Sequence, residues 1–277
     1  MPTLTINNKV HDLTQRTLIM GILNVTPDSF SDGGAYVALE EALAHARRLV
    51  AEGADIVDVG GESTRPGSLA VSAKEEMRRV IPLIRRLSRE LDAPISIDTY
   101  KAEVAAAALE AGASMLNDVW GGRRERDMLM LAAARQVPIC LMHNKEVAEY
   151  GDLLAEVKAS LLASAELAEA CGVRRENIVL DPGIGFGKTA LHNLVIMQRL
   201  AEITALGYPV LLGTSRKSFI GKVLDLPVEE RVEGTAATVA YGITRGVRLV
   251  RVHDVAAMQK VAKMTDALLR GGFSNGG

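Results

Sequence analysis

The sequence predicts an α/β protein, a single eight-stranded parallel (β/α)8 barrel, on three observations. An Ala/Leu-rich amphipathic stretch, a glycine and a short apolar run recur along the chain. The apolar runs number eight, and from Leu23 to Val252 they are spaced about 33 residues apart, as a barrel of about 250 residues requires. They are apolar throughout rather than alternating, as strands covered on both faces should be. An open doubly wound sheet is the alternative arrangement of the same units.

Taken in order, the chain before Leu18 belongs to no β/α unit and is an extra N-terminal segment, a candidate hairpin under the barrel. The first strand is Leu18 to Leu23. Gly53 then closes a helical pattern and precedes the run IVDVG. KEEMRRVIPLIRRLSR, Lys74 to Arg89, carries Met77, Val80, Ile81, Ile84 and Leu87 at helical spacing, so its charges read as a solvated helix face. Ile95 to Ile97 follows, then Gly112 before SMLNDV, Val137 to Met142, Gly172 before NIVLD, Gly207 before YPVLL and Gly246 before VRLVRV. Glycine just past a helix is the expected residue because it enters the left-handed region without a Cβ penalty. No linker interrupts the series, so 1–277 reads as one domain, with the barrel over about 18–270 and a mobile tail from Gly271.

Composition excludes several classes of partner. The 277 residues carry 32 Lys plus Arg against 34 Asp plus Glu, a net charge of -2, with 4% aromatics. No basic field exists to hold a nucleic-acid backbone and few rings exist to stack bases. Two cysteines, Cys140 and Cys171, build neither a disulfide framework nor a Cys-rich zinc site and read as small core residues. The longest uncharged stretch, Ile203 to Ser215, has 13 residues, short of the roughly 20 that span a bilayer. The first residues lack a basic start and an apolar core, so no membrane association and a cytoplasmic location are expected.

In a barrel, chemistry gathers where strands end. Here the runs end in Asn24; Asp58 and Glu62; Asp98; Asn117 and Asp118; His143 and Asn144; Asp181; Thr214 and Ser215; and Arg251, His253 and Asp254. A single carboxylate at a strand end often only caps the next helix, but three or more aimed at one mouth describe a ligand site. The loop DPGIGFGKT fails as a phosphate-binding P-loop because Pro182 stands five before Gly187. Its glycines are expected instead to admit a flat ligand beside Phe186. Arg65, Lys217 and Arg251 follow different strands yet should converge, with His253 one same-face step beyond Arg251, a grouping suited to a phosphate or diphosphate. In GTSRKSFIG, Ser215 to Ser218 should lie near a helix start that favours an anion. Histidines suited to a protein-held metal are too few, so Mg²⁺ held mainly by phosphate oxygens is the expected ion.

NVTPDSFSDGG, DVGGESTRPG, IDTYKAEVA, NDVWGG, LMHN, DPGIGFGKT, LLGTSRKSFIG and RVHDV, in that order, closely resemble the dihydropteroate synthases, the folate-pathway family inhibited by sulfonamides. The match covers about Gly21 to Asp254. It implies a TIM barrel that condenses 6-hydroxymethyl-7,8-dihydropterin diphosphate with 4-aminobenzoate, through a pterin cation left when diphosphate departs. The resemblance assigns Asp98, Asn117, Asp181 and Lys217 to the pterin. Asn24, Arg65, Arg251 and His253 would hold the diphosphate, with Asn24 also on Mg²⁺. Thr64, Arg65, Pro66, Phe186, Lys217 and Ser218 would hold 4-aminobenzoate. Asp98, Lys217, Arg65, Arg251 and His253 would be catalytic, with Phe30 and Asp32 in a lid. Family members are commonly homodimers, and the chain is expected to be a sulfonamide target or a resistant variant of one. Rival readings are a pterin-binding methyltransferase, which needs no diphosphate grip, a non-catalytic pterin-binding subunit, and an aldolase using Lys217, disfavoured by its place in a charged loop.

Overall fold

The computed structural model describes residues 3–7, 9–25, 35–62 and 70–272. Eight parallel strands form one sheet: β3 (Leu18–Asn24), β4 (Ile56–Gly60), β5 (Ile95–Asp98), β6 (Met115–Asp118), β7 (Ile139–Met142), β8 (Ile178–Asp181), β9 (Leu211–Leu212) and β10 (Leu249–Val252). Neighbours run in chain order, β3 pairs with β10, and a parallel bridge between Leu180 and Val210 joins β8 to β9, closing the barrel. The (β/α)8 reading therefore holds, and the open sheet does not.

Ten helices connect or flank the strands: α1 (Ala35–Ala51), α2 (Ala73–Glu90), α3 (Ala102–Ala111), α4 (Asp127–Arg135), α5 (Leu153–Ala170), α6 (Ala190–Gln198), α7 (Leu200–Thr204), α8 (Ser218–Leu224), α9 (Val232–Thr244) and α10 (Val255–Arg270). Gly53, Gly112, Gly172, Gly207 and Gly246 all take positive φ, as helix-ending glycines should. Helix α2 departs from expectation. Its apolar residues do face inward, but Glu76 and Arg79 are buried as well, so part of the charged face supports the barrel instead of facing solvent. Arg79 donates to the Gly61 carbonyl at 2.9 Å, and the Lys101 ammonium bonds both Glu62 and Glu76, which satisfies those charges where water is scarce.

The N-terminal segment is the expected hairpin, β1 (Thr3–Ile6) antiparallel to β2 (Lys9–Asp12). Its Leu4 and Ile6, with Leu13, pack into one buried cluster with Leu18, Met20, Ile56, Met115, Cys140, Val179, Leu211 and Leu249. Those are the inward-facing residues near the strand starts, so the hairpin plugs the N-terminal end and leaves the opposite end for chemistry. Cys140 is buried, as expected, and Cys171 is half-buried. The plug should be separable from function. Leu4→Ala and Ile6→Ala should each cost about 2–4 kcal/mol in denaturant unfolding, with kcat/KM unchanged under native conditions.

Candidate active site

Strand pleat builds the site. Because alternate side chains share a face, one step beyond the apolar plug places Ile22 after Met20, Asp58 after Ile56, Asn117 after Met115, Met142 after Cys140, Asp181 after Val179, Gly213 after Leu211 and Arg251 after Leu249. Apolar residues therefore line the lower barrel and polar ones the upper. A cavity at the C-terminal mouth is lined by Ile22, Asp98, Asn117, Val119, Met142, Asp181, Phe186, Gly213, Ser215, Lys217, Arg251 and His253. Asp98, Asn117 and Asp181 are buried there, and Lys217 and Arg251 are partly so.

Gly213 marks the convergence. A Cβ built on it would lie 3.8 Å from Lys217 Nζ, 3.9 Å from Arg251 Cβ and 3.9 Å from Asp181 Oδ2. Residues far apart in the chain thus meet around a position kept free of side chain.

Arg251 is held by two carboxylates: its Nε donates to Asp58 Oδ2 at 2.6 Å and its Nη2 to Asp98 Oδ2 at 2.7 Å. Asn117 Nδ2 donates to the same Asp58 oxygen at 3.0 Å, which leaves the carboxamide oxygen of Asn117 as its remaining acceptor. Burial pushes Asp98 up to about 7, Arg251 opposes the rise, and Asp58, Glu76 and Asp118 add to it. Asp98 Oδ1 is buried with no hydrogen-bond partner, so a donor on a bound ligand would satisfy it. Burial also raises Asp181, against Lys217 and the Gly183 amide, which donates to Asp181 Oδ1 at 2.7 Å. Asp58, Asp98 and Asp181 outnumber Arg251 and Lys217, so these groups favour a cationic, hydrogen-donating ligand.

Lys217 is the N-cap of α8, and its ammonium donates to the Ile184 carbonyl and lies 4.7 Å from the centre of the Phe186 ring. The expectation of a solvated, charged loop is corrected here: burial lowers Lys217 to about 8. Ser215 Oγ accepts from the His253 amide at 3.1 Å and lies 2.9 Å from His253 Nδ1. The hydroxyl thus ties both the backbone and the ring of His253 to the start of the β9–α8 loop.

Not every strand-end group enters the cavity. Asp58 lies beneath it, and Asp118 accepts from the Trp120 and Gly122 amides at 2.8 and 2.6 Å. Glu62 serves Lys101, Asp254 holds Arg216, and His143 meets Lys188. Thr214 pairs with Thr238. Asn24 is exposed at the end of β3, with its Oδ1 3.5 Å from where a Gly60 Cβ would sit, and Ser218 is exposed at the first residue of α8. Phe30, Asp32, Thr64, Arg65 and Pro66 lie outside the described residues.

The glycines of DPGIGFGKT differ from expectation. A Cβ on Gly183 would lie 1.9 Å from the His143 carbonyl oxygen, and one on Gly187 would lie 2.1 Å from that of Lys145. They admit neighbouring backbone from the end of β7, where a flat ligand had been expected. Sequence reasoning also missed the Ser215–His253 pair, the double grip of Asp58 and Asp98 on Arg251, and Lys188. Each is a contact between distant segments, of which spacing along the chain holds no record.

Among the described residues no group of three or more His, Cys, Asp or Glu is arranged to hold a metal ion. The donor set nonetheless fits an ion carried by a phosphorylated ligand: Asn24 Oδ1 stands near the Asp98 carboxylate across Gly60.

Comparison with known proteins agrees with this geometry. The family profile described as pterin-binding enzyme matches residues 20–253. Dihydropteroate synthase of Bacillus subtilis (strain 168) is 56% identical over 263 residues, covering 95% of this chain and 92% of that protein. The crystal structure of dihydropteroate synthase from Clostridium difficile in the presence of pteroic acid superposes with a TM-score of 0.91 at 53% identity, covering 94% of this chain and 99% of that one. The Xanthomonas albilineans dihydropteroate synthase with 4-aminobenzoic acid gives a TM-score of 0.91 at 44% identity, over 97% and 98% of the two chains. With a family match over most of its length and relatives more than half identical, this chain belongs to the pterin-binding enzymes, in their dihydropteroate synthase branch, and is a transferase.

Proposed function

We propose that the chain condenses 6-hydroxymethyl-7,8-dihydropterin diphosphate with 4-aminobenzoate, releasing diphosphate and 7,8-dihydropteroate. The observation that carries this reading is the meeting of Asp98, Asp181, Lys217 and Arg251 in one cavity. Asp181 accepts the paired N–H groups of the pterin edge, while Asp98 and the Asn117 carboxamide bind its remaining polar atoms; a ligand lacking those atoms leaves buried groups unpaired.

The bond between the exocyclic carbon and diphosphate breaks with both electrons leaving on oxygen. Asp98, and the excess of carboxylates around it, stabilises the cation left on the pterin. Arg251 and His253, joined by Arg65, take the growing charge on diphosphate. The amine of 4-aminobenzoate then forms the new C–N bond and loses its proton to solvent. Phe186, Lys217, Thr64 and Pro66 line its ring, and Ser218 at the start of α8 binds its carboxylate. When bound through diphosphate oxygens, Mg²⁺ supplies charge neutralisation on the leaving group, with Asn24 as its protein ligand.

The diphosphate grip favours this reading over a methyltransferase, which needs none. Sulfonamides, as competitors for the 4-aminobenzoate place, are the expected inhibitors. No helix among the described residues is long and apolar enough to cross a membrane. A homodimer is supported by exposed Leu191 and Leu194 on α6 beside exposed Val223 and Leu224 on α8, which sedimentation equilibrium tests.

Measuring diphosphate release and dihydropteroate formation with and without 4-aminobenzoate and Mg²⁺ tests the reaction: pteroate must require the amine, and its absence from the complete mixture overturns the reading. Arg65→Ala should lower turnover by about 100-fold or more with pterin affinity much less changed, since its charge acts on the leaving group; equal losses contradict the role. Because Asp98 must be ionised to face a cation and burial raises it to about 7, kcat/KM for the pterin substrate should fall as pH drops below about 7. Asp98→Asn should flatten that acid limb and lower the plateau.

A further inference from the structure

One half-buried cation has no part in this mechanism. Lys188 ends the loop between β8 and α6, and its ammonium donates to the Phe186 carbonyl oxygen at 2.9 Å and meets His143 Nδ1 at 2.7 Å. Among the described residues no carboxylate lies within ion-pair distance of it, and burial lowers it to about 7 against the opposing charge of Asp181. An N–H donated to Nδ1 requires the lone pair there, so the ring proton of His143 sits on Nε2. Burial first, and Lys188 next, hold His143 down at about 3, so the imidazole is a neutral acceptor across the working range. Even a neutral Lys188 amine keeps two N–H groups for its two acceptors, so the arrangement survives loss of the proton.

The loop that Lys188 closes is fixed from behind at several points. Tyr150 Oη donates to the Gly187 carbonyl at 2.8 Å, and the Gly185 amide donates to Asn193 Oδ1 at 2.8 Å. Gly183 and Gly187 rest against the carbonyls of His143 and Lys145. The segment from Lys145 to Tyr150 is therefore the wall on which this loop leans. On the other side the loop presents Phe186 to the cavity, with Lys217 near the ring face. Lys188 ties the end of β7, through His143, to the backbone carbonyl of Phe186 itself. Asp181, by contrast, is held by the β7–β8 ladder and by the Gly183 amide, and Lys188 reaches it as a nearby charge, without a hydrogen bond.

Resting on the assignment of Phe186 to the 4-aminobenzoate ring, we propose that Lys188 is a positioning residue for that half of the site, setting the place of Phe186 through its carbonyl and His143, with a smaller effect on the pterin half, which it meets only as a charge near Asp181.

Steady-state kinetics with each substrate varied in turn tests this on the full chain. Lys188→Met should raise KM for 4-aminobenzoate about tenfold and change KM for the pterin diphosphate by less than about twofold. His143→Leu should show the same split. His143→Asn, whose Oδ1 can accept near the place of Nδ1, should recover most of the loss. In a Phe186→Ala background, Lys188→Met should add less than about a further twofold, because its effect passes through the ring already removed. Equal rises in both KM values, additive losses with Phe186→Ala, or no recovery in His143→Asn overturn the proposal. Should Lys188→Met fail to fold, the His143 pair decides the same question. Absence of pteroate formation by the unaltered chain would instead overturn the reaction on which the proposal rests.

Discussion

The arrangement of the mouth depends on one guanidinium shared by two buried carboxylates. Arg251 sits on β10 and bonds Asp58 on β4 and Asp98 on β5, so a single side chain spans the inside of the barrel. Removing any one member would leave an uncompensated charge in a region where water cannot replace it. The same contact sets where Asp98 points and how far its carboxylate is neutralised, and it aligns Asn117 through the shared Asp58 oxygen. Structure and chemistry are linked here because the ligand must compete with, or complete, an electrostatic network that already exists.

That network also explains the division of the barrel into two levels. The lower level is sealed by Leu4, Ile6 and Leu13 against the mainly apolar starts of the strands. Burying that layer keeps water from reaching the acids from below, so Asp58 is fully buried and Asp98 and Asp181 are nearly so. Low local polarity raises the cost of ionised acids and strengthens each interaction they make with a cation. An apolar plug beneath the chemistry therefore contributes to it.

Much of this was legible in the sequence because two periodicities carry it. Glycine after each amphipathic stretch marked the helix ends, and continuous apolar runs marked the buried strands. The rule that strand ends carry chemistry then selected Asp98, Asn117, Asp181, Arg251 and His253, all of which line the cavity. The same rule could not separate these from Glu62, Asp118 and Asp254, which occur at equivalent places but turn toward Lys101, loop amides and Arg216. Which way such a group turns depends on a partner from a distant segment, and one-dimensional spacing holds no record of it. Glu76 and Arg79 on α2 were misread for that reason: their charge suggested solvent, while Lys101 and the Gly61 carbonyl supplied buried partners.

The glycine-rich loop after β8 shows the same limit from the side of the backbone. Three glycines with positive φ in DPGIGFGKT suggested space for a ligand, because glycine permits close approach without saying of what. At Gly183 and Gly187 the approaching group is the carbonyl backbone that follows β7. Such packing removes freedom from the loop, so Phe186 is presented by a braced segment and not by a flexible one. A rigid wall against which a small aromatic ring can stack loses little entropy on binding, which is how a cavity with few aromatic side chains can still select a flat acid. The loop's glycines thus shape the cavity indirectly, by letting two strand ends lock together behind the Phe186 ring that lines it.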